Sequence, residues 1–207
     1  MTVDRDQAVA AGARLAGESA RFAGLGWMRG TSGNLSEVLA REPLRVAVTA
    51  SGFDKGELTP EAVAVVDTAG APVGVERLAP VKPSDEAQLH ARIAAATGAG
   101  AVVHVHALAA VVAGRRWPDG VVLRDLEMLK GLGRRAHDDD VLVPVLGNSQ
   151  DMAELSDRFD GRHDPGTPAV IVADHGLYVW GSDLVQARHR TECVEWLLSF
   201  ALATAPS

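Results

Sequence analysis

The chain has one cysteine, Cys193, in 207 residues. No internal disulfide can form, and that usage suits a reducing compartment. Aromatic residues are scarce at 4%, with a single tyrosine, Tyr178. Basic residues are outnumbered: 20 Lys and Arg stand against 27 Asp and Glu, a net charge of -7. An acidic chain offers no general basic face for nucleic acid or anionic lipid. Long apolar runs are missing too, the longest being about a dozen residues against the roughly 20 that span a bilayer. The start, "MTVDRDQAVAAGARLAG", lacks the basic-then-apolar order of a signal peptide. These absences predict a soluble, cytoplasmic protein with no nucleic acid or membrane partner.

What is present is ordinary globular composition, 47% hydrophobic and 23% charged. No repeat, low-complexity tract or linker divides it, so residues 1–207 are expected to form one domain. Alanine-rich residues 6–24 read as a helix ending near Gly24 and Gly26. "RGTSGNLS" (29–36) reads as a loop, "LRVAVTA" (44–50) and "AVAVVD" (62–67) as strands. "KPSDEAQLHARIAAAT" (82–97) reads as a helix capped by Ser84. "AVVHVH" (101–106) is a strand, and "ALAAVVAG" a short helix. Asp125 is placed to cap a helix over "LEMLKGLG". "VLVPVL" (141–146) is a strand, followed by a helix over "NSQDMAELSDRFD". "PAVIVADHGLYVWG" (168–181) reads as two strands around "DHG". Ser182 then caps a helix to about Leu202. Strands come in adjacent pairs, so the fold class is α/β, with a mostly antiparallel or mixed sheet covered by helices.

The chemistry starts at "VVHVH". Residues i and i+2 of a strand share a face, so His104 and His106 point the same way. Two adjacent imidazoles are natural metal ligands, although two satisfied core histidines would read the same. Of the remaining histidines, His175 stands out at a strand end before Gly176, while His137, His163 and His189 lie in polar surroundings. Three histidines with an open position would make a catalytic-type metal site. Two carboxylates are candidates for proton transfer. Glu86 opens the "PSDE" helix, where it could equally serve the helix dipole. Glu127 lies in "LEMLKGLG", where it could equally be an exposed helix residue. The small-residue stretches "GTSGN" (30–34), "TASG" (49–52) and "KPS" (82–84) have the backbone N–H groups and hydroxyls that a phosphate needs.

Taken in order, "GTSGNLS", "VTASGFDKGELTP", "KPSDEAQLH", "AVVHVHALAAVV" and "DHGLYVWG" resemble the class II aldolase/adducin family across residues 6–202. The resemblance implies a three-layer α/β/α fold around a largely antiparallel sheet, one zinc ion per subunit and a homotetramer with sites near subunit interfaces. It implies His104, His106 and His175 as metal ligands, and Asn34, Ser51, Gly52 and Ser84 at the substrate phosphate. Glu86 occupies the aldolases' acid/base position. Glu127 occupies the corresponding position of the family's dehydratases, with Lys130 near it to add positive charge. "LEMLKGLG" and "VPVLGNSQDMAELSDRF" resemble the dehydratases, and the C-terminal helix lacks the tyrosine that the aldolases and epimerases use. The alternatives are an aldolase or 4-epimerase on another ketose phosphate, and a non-catalytic adducin-like interaction domain, which would have lost the histidines.

Overall fold

The computed structural model describes residues 3–133 and 140–206. His137, expected to be solvated, lies outside the described residues. The elements are α1 (Arg5–Gly24), β1 (Asn34–Arg41), β2 (Leu44–Thr49), β3 (Val63–Val66), α2 (Ala87–Thr97), β4 (Ala101–Val105), α3 (Leu108–Arg116), β5 (Val121–Leu123), β6 (Val141–Val143), β7 (Val145–Leu146), α4 (Met152–Arg162), β8 (Ala169–Val172), β9 (Gly176–Gly181) and α5 (Leu184–Thr204). A 3₁₀ segment, Glu127–Leu132, follows β5.

Seven strands make one sheet in the order β3-β2-β1-β4-β9-β8-β7. Every pairing in it is antiparallel except β7 with β8. β5 and β6 form a separate two-stranded ribbon. The strand period sorts the core into two layers. Val103, Val105, Leu177 and Val179 pack with Leu15 of α1, Ala110 of α3 and Leu197 of α5. Val102, Tyr178 and Trp180 point to the other side, against Leu89 and Ile93 of α2 and Leu155 and Phe159 of α4. The result is helices on both faces of a largely antiparallel sheet, as expected. His104 shares the parity of Val102 and therefore faces the α2/α4 layer.

Several expectations are corrected. The stretch 29–36 is not all loop: β1 begins at Asn34 and lies mid-sheet between β2 and β4. Its pairing on both edges overrides the weak strand pattern of "NLSEVLAR". The helix expected from 82 begins at Ala87, with Glu86 at the N-cap position. Ser84 does not cap it; its Oγ accepts from the Glu86 N–H at 3.2 Å, inside a turn. Asp125 takes a left-handed φ of 57° and caps nothing, since Leu126 precedes the 3₁₀ segment. Pro144, which has no N–H for a ladder, separates β6 from β7. Asp183 rather than Ser182 caps α5, accepting from the Gln186 N–H at 2.8 Å.

Candidate metal centre and its cleft

The antiparallel register brings one end of each strand to a common edge. Asn34 pairs with His104, and His104 with Tyr178. β8 turns into β9 through His175, which carries that side chain to the same edge. The His104 and His106 Nε2 atoms lie 2.9 Å apart. One nitrogen from each of His104, His106 and His175 falls within 4.8 Å of the others. The His104 Nδ1 faces the Leu177 carbonyl at 3.2 Å, so that nitrogen carries the proton and the Nε2 lone pair points into the cluster. Burial pushes His104 down to about 3 and also lowers His106, so both imidazoles are neutral near pH 7. Converging neutral imidazole nitrogens are the donor set of a divalent-metal site, and the three residues fit zinc. Gly176 keeps the space open. A Cβ there would meet the Val105 carbonyl oxygen at 2.5 Å and the His104 ring at 3.0 Å.

Glu86 is the carboxylate in this cluster. Its Oε2 lies 3.4 Å from His104 Nε2 and its Oε1 lies 3.2 Å from His175 Nε2. Tyr178 donates its hydroxyl to Oε1 at 2.8 Å, and Asn34 donates Nδ2 to Oε2 at 2.6 Å. Burial opposes ionisation of Glu86, but His104, the Asn34 amide, His175 and the Tyr178 hydroxyl together bring it down to about 2. Burial, reinforced by the Glu86 charge, holds the Tyr178 phenol well above its usual range. Behind Asn34 lies fully buried His90, a histidine to which the sequence assigned no role. Its Nε2 is 2.5 Å from Asn34 Oδ1, and its Nδ1 is 2.7 Å from Ser36 Oγ. An ionised Glu86 only accepts, which fixes the direction of the chain. Ser36 donates to His90, His90 donates to Asn34, and Asn34 donates to Glu86.

A cleft of about 280 Å³ opens over these groups. It is lined by Thr31, Ser32, Gly33, Asn34, Ser51 and Ser84, and further along by Glu86, His106, His175, Gln150 and Met152. The three small-residue stretches do converge. Ala50 bridges Pro83, and the Ser51 N–H donates to the Lys82 carbonyl at 2.9 Å. Gly33 makes its turn at φ 76°, where a Cβ would strike the His104 carbonyl oxygen at 2.9 Å. Gly52, at φ 84°, adjoins the cleft without lining it.

Lys55 also lines the cleft, and sequence reasoning missed it. It is 2% exposed, and Nζ donates to the Thr31 carbonyl at 3.0 Å and the Phe53 carbonyl at 2.9 Å. An ammonium has three donors. Among the described residues no carboxylate lies within 4.0 Å of it, and burial lowers its pKa. The visible signal was a lysine set between turn residues in "SGFDKGEL".

Glu127 is elsewhere. It sits on the 3₁₀ segment, its side chain 76% exposed, with Lys130 Nζ 2.6 Å from its Oε1. Neither residue lines the cleft of its own chain. His163 is half-buried and stacks on Phe159 with ring centroids 4.5 Å apart, so it is less solvated than expected; His189 is exposed on α5.

Residues 13–202 match the family described as Class II Aldolase and Adducin N-terminal domain. The chain belongs to that family. It is 38% identical over 174 residues to methylthioribulose-1-phosphate dehydratase of Sulfurihydrogenibium sp. (strain YO3AOP1), covering 83% of this chain and 80% of that protein. It is 35% identical over 177 residues to the protein of that name from Persephonella marina, covering 84% and 81%. The fold matches L-fuculose-1-phosphate aldolase of Thermus thermophilus with a TM-score of 0.72 at 25% identity, over 96% of this chain and 95% of that one. It also matches YgbL of Escherichia coli, a putative aldolase/epimerase/decarboxylase, with a TM-score of 0.78 at 19% identity, over 95% and 90%. Among the described residues no helix is long and apolar enough to cross a membrane.

Proposed function

We propose that this chain is a cytoplasmic, zinc-dependent enzyme of methionine salvage that dehydrates 5-methylthioribulose 1-phosphate to 5-methylthio-2,3-dioxopentyl 1-phosphate. The observation that carries the reading is the convergence of three imidazoles beside a small-residue cleft with a buried lysine. The relatives' names supply the substrate. Zinc held by His104, His106 and His175 would supply Lewis acidity at the substrate's C2 carbonyl and C3 hydroxyl, making the C3 proton easier to remove.

The chain's own residues divide the remaining work. Ser51, Ser84 and the Gly33 turn receive the phosphate, and Lys55 supplies positive charge from below. The N-terminus of α2 carries no side-chain cap, and the residues leading into it, Ser84 to Glu86, line the cleft. Asn34 was expected at the phosphate, but both ends of its amide are engaged by Glu86 and His90. We assign it to holding Glu86. Glu86, with a donor already on each oxygen, is a fixed negative charge beside the ligands.

Proton transfer then falls to Glu127, which takes the proton from C3 and returns one to the C4 hydroxyl as it leaves as water. The resulting enol converts to the diketone. Glu127 must come from a neighbouring copy, since its own cleft does not contain it. Exposed Val122 and Phe200 line an apolar cavity together with Leu126, beside Glu127, as a surface buried in a homotetramer would. Lys130 travels with it.

A retro-aldol cleavage of another ketose phosphate is favoured by one observation, the position of Glu86 at the histidines. One assay separates the two. Purified zinc-loaded protein is incubated with 5-methylthioribulose 1-phosphate and with other ketose phosphates. Appearance of diketone absorbance with the first supports dehydration. Release of a short carbonyl fragment from any of them, without diketone, refutes it.

A further inference from the structure

The cleft has a direction set by the sheet. Along its edge come Ser51 after β2, Asn34 at the start of β1, His104 and His106 on and just after β4, His175 between β8 and β9, and Gln150 and Met152 after β7. Neighbouring strands are about 4.8 Å apart, so β1 and β7 are separated by roughly 19 Å, with the histidines between them. Given the functional reading above, on which this inference rests, the phosphate lies on the β1/β2 side and the reacting carbons lie at the histidines. The rest of the substrate then extends away from the phosphate, toward β7.

The lining changes character there. The phosphate side carries the hydroxyls of Thr31, Ser32, Ser51 and Ser84, the Lys55 ammonium, and Asp85, whose carboxylate is paired with Lys82 at 2.6 Å. On the β7 side stand Gln150, which is exposed, and Met152, which is half-buried. Apart from Ala50, which lies at the β2 end, Met152 is the apolar side chain of the cleft lining. Met152 is not a loose rim residue. It is the first residue of α4, whose N-cap Asp151 accepts from the Ala153 N–H at 2.8 Å and the Glu154 N–H at 3.3 Å. It packs against the core layer that contains Leu89, Leu155 and Tyr178. A half-buried thioether anchored on a capped helix end is a firm, polarisable and apolar contact.

We propose that Met152 determines specificity for the substrate end remote from the phosphate, selecting an apolar thioether tail over a hydroxyl. The hydroxyl of a 5-hydroxy ketopentose phosphate would give up water to lie against the half-buried Met152, with the solvent-exposed Gln150 amide as its polar neighbour on that side. Loss of a single apolar group from such a contact changes kcat/KM by about 10- to 200-fold.

The test compares kcat/KM for 5-methylthioribulose 1-phosphate with that for ribulose 1-phosphate, in the zinc-loaded wild type and two variants. Met152→Gln, close in volume and polar, should narrow the preference for the methylthio substrate about 10-fold or more. Met152→Leu should keep the preference within about 3-fold, showing that apolarity rather than sulfur itself is required. Zinc content and thermal midpoint are read on each variant, so the comparison uses folded, loaded enzyme. A wild-type preference that Met152→Gln leaves intact overturns the role of Met152 while leaving the dehydratase reading standing. A wild type that converts neither ketose overturns the dehydratase reading and this inference with it.

Discussion

His104 and Tyr178 are direct cross-strand partners, and their rings stack with centroids 4.0 Å apart at 15°. From that stack the Tyr178 hydroxyl reaches Glu86 Oε1, while Glu86 Oε2 lies 3.4 Å from His104 Nε2. One register pair therefore orients an imidazole and the carboxylate beside it.

Removing the hydroxyl while keeping the ring separates those two functions. In Tyr178→Phe the stack survives, so zinc stoichiometry should hold. Glu86 loses one of its two donors, in a buried site where a hydrogen bond to a charged group is worth about 1.5–3 kcal/mol. Turnover should fall by about 10- to 100-fold at unchanged metal content. A variant with wild-type kcat would show that Glu86 does not depend on this bond.

His106→Ala leaves two imidazoles where three converged. Metal analysis after dialysis should show loss of bound zinc, together with loss of activity. Full zinc content in this variant would remove His106 from the ligand set.

Lys55 provides a separate readout at the phosphate end. Lys55→Met should weaken competition by inorganic phosphate about 10- to 100-fold, the size expected for one charged hydrogen bond. Zinc content should be unaffected. Equal inhibition of wild type and variant by phosphate would reduce Lys55 to a tie between the Thr31 and Phe53 carbonyls.

Much of this centre was legible in the chain because its signals are local. The i, i+2 spacing of His104 and His106 follows from strand geometry alone. His175 was marked by its place between two apolar runs. What remained hidden depends on long-range pairing. Glu86 looked like a dipole residue because nothing near it in sequence reveals that β1 and β9 bring Asn34 and Tyr178 to its two oxygens. His90 received no role because its partners, Asn34 and Ser36, are more than fifty positions away. β1 was partly mistaken for loop because its place between β2 and β4, rather than its own residues, makes it a strand. Glu127 is the opposite case. Its motif was visible, yet the single chain does not bring it to the cleft.

Buried His90 gives the fold a pH dependence of definite sign. Burial, partly offset by Glu86, lowers it from the ordinary 6.5 to about 4. Between those values the unfolded chain binds a proton that the folded chain does not, so stability falls as pH drops through the window. From pH 7 to pH 5 the loss attributable to His90 is roughly 2 kcal/mol. Urea unfolding of metal-free wild type and His90→Gln at the two pH values should show a shallower pH dependence in the variant by about that amount. Identical slopes would mean that His90 takes up its proton over the same pH range in the fold as in the unfolded chain.

The position of Glu127 yields the sharpest test. If the carboxylate acts in a neighbouring copy's cleft, Glu127→Gln and His106→Ala disable different halves of one shared site. Each variant alone should be inactive, with Glu127→Gln retaining its zinc. Co-expressed and purified as mixed oligomers, the two should regain activity. Some subunit interfaces would then join an intact histidine set to an intact Glu127. Random mixing should restore a sizeable fraction of wild-type turnover, and the zinc content of the mixture should match its share of subunits with intact histidines. Inactive mixed oligomers would place proton transfer within one chain, where Glu86 is the carboxylate at the histidines.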